Sequence, residues 1–157
     1  VKVYRFVARQ RLALAREDAW RFFSEPRNLP DITPGWLGFE ILDDLPERMY
    51  AGMIVRYRVR PIGGVPLSWT TEITHVTDGA FFVDEQRFGP YRFWHHQHHF
   101  RPVEGGTEVE DLVHYALPGD PVSRPFAYRL AGRRLDDIFA FRRRILAERF
   151  GELPGTA

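Results

Sequence analysis

From Met53 onward the chain is a succession of apolar-alternating segments whose links are too short to cross a sheet face. The segments Leu67 to Val76, Ala80 to Phe88, Tyr91 to Val103 and Thr107 to Leu117 are joined only by Thr77-Asp78-Gly79, Gly89-Pro90 and Glu104-Gly105-Gly106. A parallel crossover needs about a dozen residues, so neighbours joined this tightly must pair as antiparallel hairpins. In Met53 to Val59, Met53, Val55, Tyr57 and Val59 share one face and Arg56 and Arg58 lie on the other, as expected of a sheet with one face buried.

The flanking segments complete the order. Val3 to Leu14 alternates like a half-buried strand, with Arg5, Val7 and Arg9 against Tyr4, Phe6 and Ala8. Glu17 to Ser24 has acidic residues in its first turn and apolar residues at helical spacing, which predicts a short helix. Pro26, Pro30 and Pro34 then allow at most one further helical turn before Phe39 to Leu42, another strand. Beyond Pro118-Gly119-Asp120-Pro121 the period turns helical as far as Phe150. An apolar arc of Ala127, Ala131, Leu135, Ile138, Phe139, Ile145 and Leu146 stands opposite Arg129, Arg133, Asp136 and Glu148, and Gly151 and Pro154 end the helix. Strands followed by one long helix that must bury an apolar arc make an α+β chain with its helix against one face of the sheet. At 157 residues, with no linker or repeat, one domain spanning 1–157 is expected.

This order resembles the helix-grip fold of the SRPBCC superfamily, which includes START-like, polyketide cyclase-like and birch-pollen-allergen-like ligand binders. The stretches Pro34-Gly35-Trp36-Leu37-Gly38-Phe39, Val83-Asp84-Glu85-Gln86, Gly89-Pro90-Tyr91-Arg92-Phe93-Trp94-His95-His96-Gln97-His98 and Asp111-Leu112-Val113-His114-Tyr115-Ala116-Leu117-Pro118 are similar to a bacterial branch of it. The resemblance implies a curved antiparallel sheet of about seven strands around the C-terminal helix, two short helices after the first strand, and an internal ligand cavity. Superfamily membership by itself leaves the biochemical task open.

Composition narrows the function further. Lys and Arg number 22 against 21 Asp and Glu, so no global field attracts nucleic acid. With no cysteine, disulfides, thiolate catalysis and Cys-type metal centres are excluded, and a reducing compartment is expected. Charges break every apolar stretch and the first residues lack a signal-peptide core, so the expectation is a cytoplasmic protein without an integral membrane segment. Phosphate loops, Gly-x-Ser-x-Gly and His-Glu-x-x-His are missing, and no cofactor is expected.

The sharpest local pattern is His95-His96-Gln97-His98-His99. On strand alternation His96 and His98 share a face with Trp94 and Phe100, which assigns them to the concave side. On the next strand Asp111 shares the more apolar face with Val109, Val113 and Tyr115, within reach of the histidines. A carboxylate beside an imidazole orients it and tunes it for acid–base work, although the same grouping also describes a satisfied polar cluster without turnover. Arg142 interrupts the helical apolar arc between Ile138 and Ile145. It either pairs with a carboxylate and anchors a ligand or snorkels to solvent. Alternation leaves the facing of Phe81 to Phe88 open. The resemblance places Glu85 and Gln86 at the pocket, and Glu85 is taken as the inward carboxylate. Tyr57, Trp69 and Trp94 are expected to form apolar walls.

The leading expectation is therefore a carrier or sequestering domain for a lipid, isoprenoid, quinone or polyketide, contacted by Tyr57, Trp69, Glu85, Trp94, His96, His98, Asp111, Tyr115 and Arg142. The alternative is a cyclase- or dehydratase-like enzyme in which His96, His98 and Asp111 perform acid–base catalysis without a redox cofactor. A metal site on the His-x-His pair is not expected, because the long terminal helix is wrong for the jelly-roll proteins that use that motif.

Overall fold

A computed structural model describes residues 1–60, 64–119 and 124–155, with residues 124–127 given by their backbone. The elements are β1 (Tyr4–Leu12), α1 (Arg16–Phe23), two 3-10 helices (Pro26–Ile32 and Gly35–Leu37), β2 (Glu40–Ile41), β3 (Met53–Val59), β4 (Leu67–Thr77), β5 (Phe81–Phe88), β6 (Phe93–Val103), β7 (Gly106–Ala116) and α2 (Arg124–Phe150). They form one seven-stranded antiparallel sheet in the order β1-β7-β6-β5-β4-β3-β2, an α+β helix-grip architecture.

The hairpins from β3 to β7 pair as their short links require. Gly79, at φ 72°, supplies the left-handed turn residue between β4 and β5. The remaining pairing is long-range: β1 lies on β7 from Tyr4↔Tyr115 to Leu12↔Thr107. Gly106 opens β7 so close to β1 that an added Cβ would stand 1.9 Å from the Leu12 carbonyl oxygen. The strand expected at Phe39 to Leu42 shortens to Glu40–Ile41. The Asp43 carboxylate takes over there, accepting the Arg56 backbone N–H at 2.7 Å where a strand would offer a carbonyl. Irregular register between β4 and β5, at Thr70/Thr71 and Ile73/His75, accompanies the curvature of the sheet.

The helix α2 lies along the concave side. Leu135, Phe139 and Leu146 are buried, with Ala131 and Ile138 packed beside Leu135, while Arg129, Arg133, Asp136 and Glu148 are exposed as the arc predicts. The Ala127 side chain lies outside the described residues. Near its start, Tyr128 stacks on Tyr4 at 3.9 Å and its hydroxyl accepts the Leu117 N–H. At its end the Gly151 carbonyl accepts from Ala13 N–H and Leu153 N–H donates to the Arg11 carbonyl, tying the helix to β1. Among the described residues no helix is long and apolar enough to cross a membrane.

Candidate functional site

Directly opposed residues in a sheet share a face, so the pairs Asp84↔His96 and Phe82↔His98 between β5 and β6, and His98↔Asp111 between β6 and β7, converge on one concave patch. The four polar side chains close a ring. His98 Nε2 lies 2.8 Å from Asp84 Oδ2 and its Nδ1 lies 2.9 Å from Asp111 Oδ1. His96 Nε2 lies 2.8 Å from the same Asp111 oxygen, and its Nδ1 is 3.4 Å from Asp84 Oδ2. Trp94 donates its indole N–H to the other oxygen of Asp84 at 3.2 Å, and Phe82 stacks on His98 at 4.1 Å. From α2, Arg142 brings a guanidinium nitrogen to 3.6 Å from Asp111.

This geometry sets the protonation. His98 has a carboxylate oxygen at hydrogen-bond distance from each ring nitrogen, so both must carry protons for both bonds to form. Burial pushes its pKa down, but the bonds to Asp111 and Asp84 outweigh that and hold it above the ordinary imidazole value. His96 goes the other way: burial and the neighbouring His98 charge hold its pKa below the ordinary value. Its short contact assigns the proton to Nε2, which donates to Asp111 and leaves Nδ1 as a lone-pair nitrogen. Burial would raise both carboxyls. The histidines reverse this, keeping Asp84 below and Asp111 well below the usual range. Two carboxylates thus face one imidazolium and one guanidinium, and the buried group is neutral as a whole.

In front of the ring is a cavity of about 160 Å³, walled by Phe22, Leu29, Phe39, Tyr57, Trp69, Ile73, Leu135 and Phe139, with Asp84, His96, His98 and Arg142 at its polar end. Burial, with the nearby Asp84 charge, raises the Tyr57 pKa far above its ordinary value, so the phenol keeps its proton. A second cavity of about 320 Å³ lies between β1 and α2, lined by Arg9, Gln10, Asp111, Asp136 and Arg142 among others. Arg142 therefore borders both cavities, and Asp111 borders the second. Asp84, His96 and His98 offer ligand atoms within 4.8 Å of one another, the one set among the described residues with the spacing to hold a metal ion. That ion would have to displace the ring's own protons.

Residues 12–139 match the family described as polyketide cyclase / dehydrase and lipid transport. The chain belongs to this family. Among solved structures it is similar to the Zhui aromatase/cyclase of Streptomyces sp. R1128, at 12% identity and a TM-score of 0.74 over 94% of this chain and 93% of that one. It is also similar to TTHA0849 of Thermus thermophilus, at 15% identity and a TM-score of 0.70 over 93% and 99%. The major latex-like protein 151 of Panax ginseng aligns at 15% identity and a TM-score of 0.66 over 97% and 99%. At such identities the likeness speaks to the fold. No curated protein matches the chain in sequence.

Within this polyketide cyclase-type fold, the structure brings His96, His98, Asp111 and Arg142 together and puts Tyr57, Trp69 and Trp94 on the cavity wall. Asp111 stands behind the imidazoles, facing the second cavity rather than the first. Three expected positions differ. Glu85 points to the convex face, where it binds His95 Nδ1 at 2.8 Å and pairs with Arg87, because its ladder partner is His95. The inward carboxylate is its neighbour Asp84, which the sequence reading missed. A turn centred on Pro90 pairs residues equally distant on either side, and that symmetry already sets Asp84 opposite His96. Tyr115 has the concave facing but not the cavity: one ladder position beyond it, opposite Trp94, it packs into the Tyr4–Tyr91–Tyr128 cluster. Gln86 is spent on the hairpin, bonding the Tyr91 backbone through both ends of its amide.

Proposed function

We propose that the chain binds a small, largely apolar molecule in the cavity between sheet and helix, with the Asp84–His96–Asp111–His98 ring and Arg142 orienting its polar end. The observation that carries this reading is a predominantly apolar cavity onto which Asp84, His96, His98 and Arg142 converge, the usual form of a small-molecule site. Membership in a family described by both cyclase and lipid-transport activities agrees with a bound organic ligand. Native mass spectrometry of freshly purified protein, with organic extraction of retained material, tests it. A retained molecule lost in His98→Ala but kept in Arg58→Ala, whose side chain pairs with Glu40 away from the cavity, supports the reading. An empty cavity that takes up no apolar probe in any titration refutes it.

A second reading, acid–base catalysis of the cyclase or dehydratase kind, is favoured by one observation: a neutral imidazole stands beside a protonated one at the cavity wall. His96 Nδ1 would accept a proton from an acidic C–H, and the charge of His98 and Arg142 would stabilise the enolate that remains. Deuterium exchange into an enolisable bound ketone, lost in His96→Gln with binding retained, is the outcome this reading requires.

A further inference from the structure

Among the described residues, two buried side-chain nitrogens have no hydrogen-bond partner: Trp69 Nε1 and Arg142 Nε. Both residues line the apolar cavity, and both atoms are N–H groups that only donate. A buried donor left unpaired is costly, and native proteins pair nearly all of theirs. The missing partners are therefore acceptors. The rings packed on the Trp69 indole are Tyr91 at 5.5 Å and Trp94 at 5.2 Å, and the Trp94 N–H is already given to Asp84.

The two donors sit at different places on the wall. Trp69 is on β4 against Trp94, while Arg142 is on α2 over the ring of Phe139 at 4.7 Å. Between them the wall runs from Trp94 to His96 at 5.9 Å and from His96 to Phe139 at 6.1 Å. The two donors come from different elements, and each needs an acceptor of its own. The space itself is compact, about 160 Å³, close to the roughly 150 Å³ that encloses a benzene ring in an engineered cavity. A long acyl chain does not fit such a volume.

We infer that the cavity takes a compact one-ring molecule of the dione class, with one carbonyl oxygen on the Trp69 indole N–H and the other on the Arg142 guanidinium. The inference rests on the proposed binding function and narrows its ligand: two acceptor oxygens on separated positions of an apolar ring body, with no donor required at either. The neutral charge of the buried ring favours a neutral ligand, because an added anion would be unbalanced unless His96 took up a proton.

Calorimetric titration with 1,4-cyclohexanedione, cyclohexanone and cyclohexane, which offer two, one and no carbonyl acceptors on the same one-ring frame, tests it. Each net hydrogen bond is worth about tenfold in affinity. We expect cyclohexanedione to bind about a hundredfold more tightly than cyclohexane, with cyclohexanone between. Trp69→Phe should cost cyclohexanedione about tenfold and leave cyclohexane unchanged, and Arg142→Lys should do the same at the other end. Equal affinity for cyclohexanedione and cyclohexane, or a cyclohexanedione affinity unaltered in Trp69→Phe, overturns the inference while the binding function stands. If none of the three binds, the inference falls, and the retained-molecule experiment decides the broader function separately.

Discussion

The ring centroids of His96 and His98 lie 3.7 Å apart, so the two imidazoles share one buried patch and cannot both be charged without strong repulsion. His98, bonded on both nitrogens, holds the proton. Nitrogen-15 spectra at neutral pH should show one imidazolium and one neutral Nε2-H tautomer for this pair, assigned through His96→Gln and His98→Gln. Two neutral rings at pH 6 would mean that the charge assignment of the ring is wrong.

The same assignment predicts a stability optimum. His98, whose pKa rises on folding, contributes fully below its unfolded value of about 6.5. That contribution is lost as pH rises through the raised folded value. His96, whose pKa falls, contributes above about 6.5, and this is lost as pH falls through its lowered value. Asp84 and Asp111 contribute above about 3.9 and lose it as pH falls through their folded values. Urea unfolding from pH 5 to 9 should therefore show a decline on the alkaline side that is absent in His98→Gln. An identical alkaline slope in the variant would remove His98 as its source.

Asp111 accepts from both histidines and faces Arg142, so its isosteric neutralisation leaves two buried cations against the single carboxylate of Asp84. Asp111→Asn is expected to cost about 3 kcal/mol of folding stability, as breaking a buried pair from one side does. Glu85→Gln, on the half-exposed convex face, should cost less than about 1 kcal/mol. Comparable losses in the two would contradict the burial difference between the faces.

Leu135 is 2% exposed and both anchors α2 and lines the cavity. Leu135→Ala should lose about 2–5 kcal/mol and leave added space continuous with the site. Affinity for two-ring naphthalene should then rise relative to one-ring cyclohexane. An unchanged ratio would indicate that the helix collapses into the gap.

Zinc is expected not to bind stoichiometrically despite the spacing of Asp84, His96 and His98. Arg142 and protonated His98 already balance the two carboxylates, and a divalent ion would have to expel the His98 proton beside a fixed guanidinium. Elemental analysis after dialysis against zinc at pH 7 checks this. One ion per chain, abolished by His96→Ala with His98→Ala, would reverse it.

Local periodicity determined much of this protein. The exact bounds of Met53–Val59, the hairpin order from β3 to β7 and the concave facing of His96, His98 and Asp111 all follow from period-two alternation and links too short for anything but a reversal. The buried stripe of α2, with Arg142 set in it, follows from the helical period in the same way. Alternation fails where both faces of a strand are apolar. In Phe81–Phe88 the choice between Asp84 and Glu85 was therefore made by the β5–β6 register and not by composition. Facing also says nothing about distance along a strand: Asp111 and Tyr115 share a face, yet one supports the imidazoles and the other packs against Tyr4 and Tyr128. Only the closing of β1 onto β7 and of α2 across the sheet decided which concave residues border empty space, and so left Trp69 and Arg142 as donors without partners. Those contacts join residues far apart in the chain, and a local pattern carries no information about which distant surface will cover it.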